Sequence, residues 1–233
     1  MKLGIMQPYF FPYIGYWQLV NAVDTYVIYD DVNFIKNGWI NRNRILINGE
    51  AKYFNLPVVG AGSFVLIKDI AMNPKPELIG KLLRTLENSY RKAPCYTEVM
   101  PMVERIMTCG KTKMAELLEF QIREIAHYLN LKTTLLVSSR DVKKDKDLHA
   151  QDRVLDICKN LNATEYYNAI GGQELYDRKT FAERKLKLSF LQTDEIVYRQ
   201  FRNDFIPNLS IIDVLMFNST EQVHEFLHQY TLR

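Results

Sequence analysis

The chain has 233 residues, of which 47% are hydrophobic and 24% charged, and its formal net charge at pH 7 is +3. This is the composition of an ordinary globular protein, and the length allows a sizeable core without disulfides or a structural metal. So small a positive charge disfavours a nucleic-acid binder, which needs a concentrated basic face, and no run reaches the roughly 18 apolar residues of a membrane span.

The first 31 residues predict a strand–helix–strand unit. Residues 2–6 read as a short buried strand, helical spacing runs over 15–23, and 25–29 read as a second buried strand that ends at Asp30 and Asp31. Parallel strands joined in this way cross over right-handed. This unit therefore predicts the start of a parallel sheet.

A small antiparallel addition and a helical segment follow. Residues 44–48 and 52–58 flank Asn48-Gly49-Glu50, which is a hairpin signal, and 63–70 read as a further extended piece. From 75 to 131 the spacing is helical. One face of the last predicted helix carries Met114, Leu117, Leu118, Ile122, Ile125 and Leu129.

Alternating strands and helices then return, with strands over 133–138, 164–168 and 186–192 and helices over 151–161 and 173–185. This order predicts one α/β domain over 1–233, built on an open, doubly wound, mostly parallel sheet. We expect a Rossmann-like architecture, with a nucleotidyltransferase-like variant left open. The helical insert at 75–131 and the hairpin interrupt the sheet order, and a charged loop around 141–148 is the best candidate for disorder.

The chain carries neither an export signal nor a metal signature. Its apolar start is interrupted by Gln7 and two prolines, unlike a signal peptide, so we expect a cytoplasmic protein without membrane insertion. The three cysteines share no CxxC spacing and predict reduced thiols. His224 and His228 lie four residues apart in an amphipathic stretch and are predicted to be surface residues, so no metal site is expected.

Ligands of open parallel sheets bind at the carboxyl ends of the strands, which directs attention to four segments. The first, QPYFFPYIGY, holds five aromatic residues and two prolines in ten positions, before a helix start. It fits either an aromatic mini-core under the sheet or a stiff, stacking-capable pocket wall at a helix N-terminus. The candidate binding residues here are Gln7, Tyr9, Tyr13 and Tyr16.

The second segment is YDDVNFIKNGWINRNRI. Asp30 and Asp31 point to opposite faces if the backbone stays extended, so one could face a pocket while the other caps or pairs. The side-chain donors that follow fit either a basic surface loop or ligand contact, and their number at a strand end favours a ligand. They are Lys36, Trp39, Asn41, Arg42 and Arg44. We expect this strip and the aromatic turn to converge on one shared cleft.

The third segment, Ser138–Arg140, follows a predicted strand, and the fourth, NAIGGQELYD, offers Asn168, Gly171 and Gly172. The double glycine could present backbone N–H groups to an anion, or could simply form a turn. HAQDRVLDICK adds His149, the histidine nearest a strand end, and Arg153 in a first helical turn. The chain lacks GxGxxG, Walker, GxSxG and HExxH motifs, which disfavours the corresponding enzyme classes.

With these residues the sequence resembles the WbqC-like protein family. The resemblance runs nearly end to end, through IMQPYFFPYIGYWQLV, VDTYVIYDDVNFIKNGWINRNRIL, DRVLDICK, YYNAIGGQELYD and FIPNLSIIDVLMFN. It implies a place among genes for O-antigen and other surface polysaccharides, and a cytoplasmic step on a nucleotide-activated, often amino, sugar.

The opening strand–turn–helix also looks like the start of HIGH-type nucleotidyltransferases, which place an HxGH motif at this turn to contact ATP phosphates. Here the corresponding string is Tyr13-Ile14-Gly15-Tyr16, with tyrosines in place of both histidines. The shape can persist without adenylyl transfer.

Three hypotheses result. The first is a transferase that joins an acyl or aminoacyl group to a nucleotide-linked amino sugar: Lys36, Arg42 and Arg44 hold phosphates or a carboxylate, Tyr9 and Trp39 stack, and Asp30 or Asp31 orients or deprotonates the amine, with His149 in reserve. The second is a non-catalytic binder of sugar nucleotides or of a pathway partner, and the third a divergent nucleotidyltransferase-like or ligase-like enzyme. The sequence assigns no cofactor and leaves a homo-oligomer open.

Overall fold

The computed structural model describes residues 1–202 and 204–233. Its first part contains β1 (Lys2–Met6), α1 (Ile14–Asn21), β2 (Thr25–Ile28), β3 (Arg42–Ile47), β4 (Glu50–Asn55), β5 (Val58–Val59) and β6 (Ala71–Met72). Helices α2 (Pro76–Tyr90), α3 (Tyr96–Met107) and α4 (Met114–Tyr128) follow. The last part contains β7 (Thr134–Val137), α5 (Ser138–Asp141), α6 (Ala150–Asn160), β8 (Glu165–Ala169), α7 (Arg178–Glu183), β9 (Lys187–Thr193), α8 (Ile211–Phe217), α9 (Thr220–Phe226) and β10 (Tyr230–Leu232).

The central sheet has six strands in the order β10-β9-β8-β1-β2-β7. All neighbouring strands are parallel except β10, which pairs antiparallel with β9 at one edge. The predicted α/β class with a mostly parallel sheet is confirmed. The strand order reverses direction between β1 and β8, because the chain goes from β1 to β2 and β7 on one side and returns to β8 and β9 on the other. The five parallel strands all end at one side of the sheet, here called the carboxyl edge.

Helices cover both faces of this sheet. In β2, Tyr26 and Ile28 belong to one apolar core and Val27 to the other, as the alternation of a pleated strand requires. The larger core includes buried residues of α1, α2, α3, α4 and α8, and the smaller one includes those of α6 and α7. The predicted apolar face of α4, from Met114 to Leu129, is buried in the larger core.

The β3–β4 hairpin turns at Asn48 and Gly49, whose φ angles are +53° and +79°. Both values are positive, as a type I′ turn requires, and this explains the Asn-Gly pair. The strands span 42–47 and 50–55 rather than 44–48 and 52–58. The predicted extended piece at 63–70 is wrong: it contains a 3-10 helix at Ile67–Asp69, because backbone N–H groups there bond to carbonyl oxygens of the Asp30–Val32 segment and of Leu66.

No helix among the described residues, 1–202 and 204–233, is long and apolar enough to cross a membrane.

Candidate functional site

A cleft of about 490 Å³ lies at the carboxyl edge, between the end of β2, the start of α6 and the 3-10 helix Ile170–Leu175 that follows β8. We call it the edge cleft. It lies over β1, beside the point where the strand order reverses, which is where open parallel sheets bind ligands. Its lining consists of Tyr29, Asp31, Val32, Asn33, Leu66, Lys146, His149, Ala150, Gln151, Arg153, Val154, Leu175 and Tyr176.

Asp31 forms a buried ion pair in this cleft. Its carboxylate lies 2.9 Å from the ammonium of Lys144, and the two side chains are only 11% and 6% exposed. Burial raises the pKa of Asp31, but hydrogen bonds from Lys144 and Ser138 and the charges of Lys144 and Arg153 together outweigh it, so the pKa ends below its usual value. Asp31 is therefore ionised at neutral pH and already neutralised by its partner.

The remaining charges of the edge cleft are positive. Lys146 and Arg153 line it, and Arg153 donates one hydrogen bond to the backbone oxygen of Asp31 at 3.2 Å. The Nε of Arg153 is buried and has no hydrogen-bond partner among the residues that the structure describes. Helix α6 begins at the cleft, and its cap residue His149 makes no capping bond through its side chain. Unpaired N–H groups at a helix start favour an anion.

Asp30 is oriented differently from Asp31. One carboxylate oxygen accepts from the backbone N of Ser139 at 2.9 Å and the other from the Ser139 hydroxyl at 2.5 Å. Burial raises the pKa of Asp30 above its usual value. Asp30 thus ties the end of β2 to the start of α5 and is absent from the lining of the edge cleft.

A second cleft, of about 400 Å³, lies beside the turn that follows β1. We call it the aromatic cleft, and its lining consists of Tyr9, Pro12, Tyr13, Trp39, Asn43, Arg44 and Asn208. Trp39 is 41% exposed, and the guanidinium carbon of Arg44 lies 5.9 Å from its ring centre. Arg44 donates from Nη2 to the Asn208 carbonyl at 3.4 Å, but its buried Nε has no partner in the described part of the chain.

The turn that forms this cleft is held in an unusual conformation. Phe11 has a φ of +43°, a left-handed value that costs an aromatic residue roughly 1–3 kcal/mol. The buried amide of Gln121 accepts from the Phe11 backbone N at 2.9 Å and donates to the Tyr9 carbonyl at 3.0 Å. Asn43 and Ser210 both donate to the Phe11 carbonyl, at 2.8 Å each. Side chains distant in sequence therefore fix the turn.

The residues of the aromatic segment divide between the core and the aromatic cleft. Phe10, Phe11 and Tyr16 are buried in the larger core, and at 2% exposure Tyr16 is out of reach of a ligand's phosphates. Tyr9 and Tyr13 are partly exposed and line the aromatic cleft instead. Gly15 is required because a Cβ there would lie 2.5 Å from the Tyr13 ring.

The aromatic turn and the strip that follows β2 thus meet in the aromatic cleft, whereas Asp31, His149 and Arg153 lie in the separate edge cleft. Arg42 lies outside both linings: its guanidinium stacks on Tyr53 at 4.5 Å, and its Nε donates to the Gly38 carbonyl at 3.1 Å. Lys36 is exposed in a turn, and Asn41 bonds to Leu56. All three residues follow β2 in the chain, but none of them lines either cleft.

The predicted residues near β8 are engaged in local contacts. Asn168 donates to the Tyr166 hydroxyl at 2.7 Å, and a Cβ on Gly172 would lie 2.9 Å from the Asn168 side-chain oxygen. Gly171 and Gly172 lie within a 3-10 helix and are not among the residues with positive φ. Gln7 directly follows β1 and is half-buried.

Sequence reasoning missed Lys144 and Gln121. Lys144 falls in the charged loop that was expected to be disordered, yet its side chain is 6% exposed because it pairs with Asp31. Gln121 sits on the buried face of α4, and a polar residue among the apolar positions of that helix is a signal that could have found it.

The chain matches one family model and one curated relative. The model of the WbqC-like protein family matches residues 7–225, a range that contains every lining residue of both clefts. The chain is 27% identical over 228 residues to the uncharacterized protein Rv1507c of Mycobacterium tuberculosis, and the match covers 97% of each chain. No solved structure matches the chain significantly.

Proposed function

Because the chain belongs to the WbqC-like protein family, we propose that it acts on a nucleotide-activated amino sugar in surface polysaccharide biosynthesis, joining an acyl or aminoacyl group to the sugar's amine. The observation that carries this proposal is the composition of the edge cleft. It brings Asp31, His149 and Arg153 together at the carboxyl edge, from segments more than 100 residues apart in the sequence.

The charges of the edge cleft support a phosphate-bearing substrate. Among the described lining residues, Lys146 and Arg153 accompany one carboxylate, that of Asp31, and Lys144 already neutralises it. The cleft therefore has an excess of positive charge beside the start of α6, where a diphosphate gains both charge and backbone N–H groups. The guanidinium of Arg153, which lines the cleft, can pair with a phosphate oxygen.

The same cleft offers groups for acyl transfer. The amine nitrogen of the sugar attacks the carbonyl carbon of an acyl thioester or aminoacyl ester; a C–N bond forms, the bond to sulfur or oxygen breaks, and the leaving group departs as thiol or alcohol after taking up a proton. His149, exposed at the cleft, accepts the proton that the amine loses. Asp31 orients the amine, since a carboxylate with a lowered pKa is a weak base.

A second candidate function, binding without catalysis, is favoured by the state of the two aspartates. Asp31 is paired with Lys144, and Asp30 is held by Ser139. Of the proposed catalytic residues, this leaves His149 alone to accept the proton of the amine. If His149 does not accept that proton, the edge cleft binds the sugar nucleotide without catalysing a reaction.

Binding is tested by thermal shift with UDP-, dTDP- and GDP-sugars, ATP and acyl-CoA, since a ligand that binds only the native state raises the melting temperature. We expect a sugar nucleotide to stabilise the wild type. Arg153→Gln should lose most of the shift, whereas Lys159→Gln, the same charge change at the exposed end of α6, should keep it. Absence of a shift with every sugar nucleotide contradicts the proposal.

Catalysis is tested by incubating the stabilising amino-sugar nucleotide with acyl donors and measuring its mass. The transferase predicts a mass gain that equals the acyl group, and His149→Asn should abolish it while the thermal shift remains. Unchanged mass with every donor, together with a normal thermal shift, selects the binding protein over the enzyme.

A further inference from the structure

We infer that the aromatic cleft is a second ligand site, distinct from the edge cleft, which binds a monosaccharide-sized ring bearing an oxyanion, either a carboxylate or a phosphate. This inference does not depend on the proposed function, because it rests on different residues. It would stand even if the edge cleft bound no sugar nucleotide.

The charge of the cleft indicates an anion. Of its seven described lining residues, Arg44 alone is charged, and the lining contains no carboxylate to balance it. Its Nε is buried without a partner among the described residues, and its one side-chain hydrogen bond, to Asn208, is long at 3.4 Å. A guanidinium that lines a cleft without a carboxylate partner is suited to charge-assisted, bidentate pairing with an oxyanion.

The aromatic walls indicate a ring. Trp39 is 41% exposed and lies 5.9 Å from the guanidinium carbon of Arg44. Tyr9 and Tyr13 line the same cleft. Burial raises the pKa of both tyrosine hydroxyls, so both stay protonated at neutral pH. A volume of about 400 Å³ lies at the lower end of the roughly 300–1,000 Å³ range for small-ligand pockets and suits one or two sugar rings.

The cleft is also preorganised. Gln121, Asn43 and Ser210 hold the left-handed Phe11, and with it the neighbouring Tyr9 and Pro12, in place. Backbone strain of this kind persists only where surrounding contacts fix it, and it clusters at ligand sites. A rigid wall needs no ordering when the ligand binds, which raises affinity.

The test is calorimetric titration of the full chain with glucuronate, glucose 1-phosphate and glucose, which share a ring and differ in charge. Glucuronate or glucose 1-phosphate should bind, and glucose should bind at least about tenfold more weakly, because a hydrogen bond to a charged group contributes roughly 1.5–3 kcal/mol. Binding of glucuronate alone identifies the ligand as a carboxylate, and binding of glucose 1-phosphate alone as a phosphate. Binding of both anions supports a general oxyanion site.

Two matched variants place the site. Arg44→Gln should lower the affinity for the anionic ring at least about tenfold. Arg42→Gln is the control, because Arg42 lies two residues away on the same strand but stacks on Tyr53 outside the cleft. This variant should keep the affinity for the anionic ring within about twofold of the wild type. Melting curves of both variants check that each is folded. Equal binding of glucose, no saturable binding of any probe, or unchanged affinity in Arg44→Gln overturns the inference.

Tryptophan fluorescence gives an independent reading. The chain has two tryptophans, Trp17, which is fully buried, and Trp39. A ligand-dependent change in emission should therefore disappear in Trp39→Phe while calorimetry still detects binding. A change that persists in that variant would place the ligand elsewhere and contradict the inference.

Discussion

Replacing Gln121 by methionine tests whether a distant side chain holds the turn that follows β1. Gln121 is fully buried on α4, accepts from the Phe11 backbone N at 2.9 Å and donates to the Tyr9 carbonyl at 3.0 Å. Methionine has a similar length but makes neither bond. The amide of Phe11 then stays buried without a partner, and the carbonyl of Tyr9 loses its donor.

The expected cost follows from these two bonds. A buried backbone group without a partner destabilises the native state by about 1–3 kcal/mol, and the partly buried Tyr9 carbonyl adds less, so we expect Gln121→Met to lose roughly 2–4 kcal/mol. Glutamate should also destabilise, because its carboxylate can still accept from Phe11 but cannot donate to Tyr9 and must be buried.

Urea denaturation followed by circular dichroism measures the difference in unfolding free energy between the wild type and Gln121→Met, provided that both have the same dependence of this free energy on urea. His127→Met introduces the same residue on the exposed side of the same helix and should change stability by less than about 0.5 kcal/mol. If Gln121→Met loses no more unfolding free energy than this control, the Gln121 side chain does not hold the turn and does not preorganise the aromatic cleft.

Three further predictions concern the stability of the protein. Gly15→Ala should lower stability by about 1–3 kcal/mol through overpacking, since its Cβ would clash with the Thr193 hydroxyl and the Tyr13 ring. Gly171→Ala meets open space and should have a much smaller effect, which the melting temperatures of the two variants measure. Leu118→Ala, a fully buried truncation, should cost roughly 2–5 kcal/mol in urea denaturation, and a cost below about 1 kcal/mol would contradict its place in the core. Burial raises the pKa of Asp213 despite three hydrogen bonds to its carboxylate, so the native state favours the protonated form. The unfolding free energy of the wild type, relative to that of Asp213→Asn, should therefore be highest below about pH 4 and fall as pH rises through the raised native-state pKa. Urea titrations at several pH values measure this difference. A difference that rises with pH would mean that the native state lowers the pKa of Asp213 instead.

The sequence by itself determined the class of fold and the edge of the sheet where ligands are expected. Alternating strands and helices, an Asn-Gly pair at the hairpin and apolar spacing on α4 are local patterns, and local patterns specify elements. The predicted elements also fix where each strand ends, so the sequence alone predicts that Asp31 and Asn168 lie at the carboxyl edge. The family could also be named from the sequence, because long strings of residues carry that resemblance.

Only the tertiary structure decided which of these residues share a cleft. From the sequence, Lys144 is predicted to lie in a solvated loop, but the structure places it beside Asp31. Arg42 and Arg44 have the same local pattern, but one stacks on Tyr53 and the other lines the aromatic cleft. The physical reason is that burial and pairing depend on contacts between segments far apart in the chain. Gln121 and Phe11 are 110 residues apart, and no local spacing in either segment records their contact.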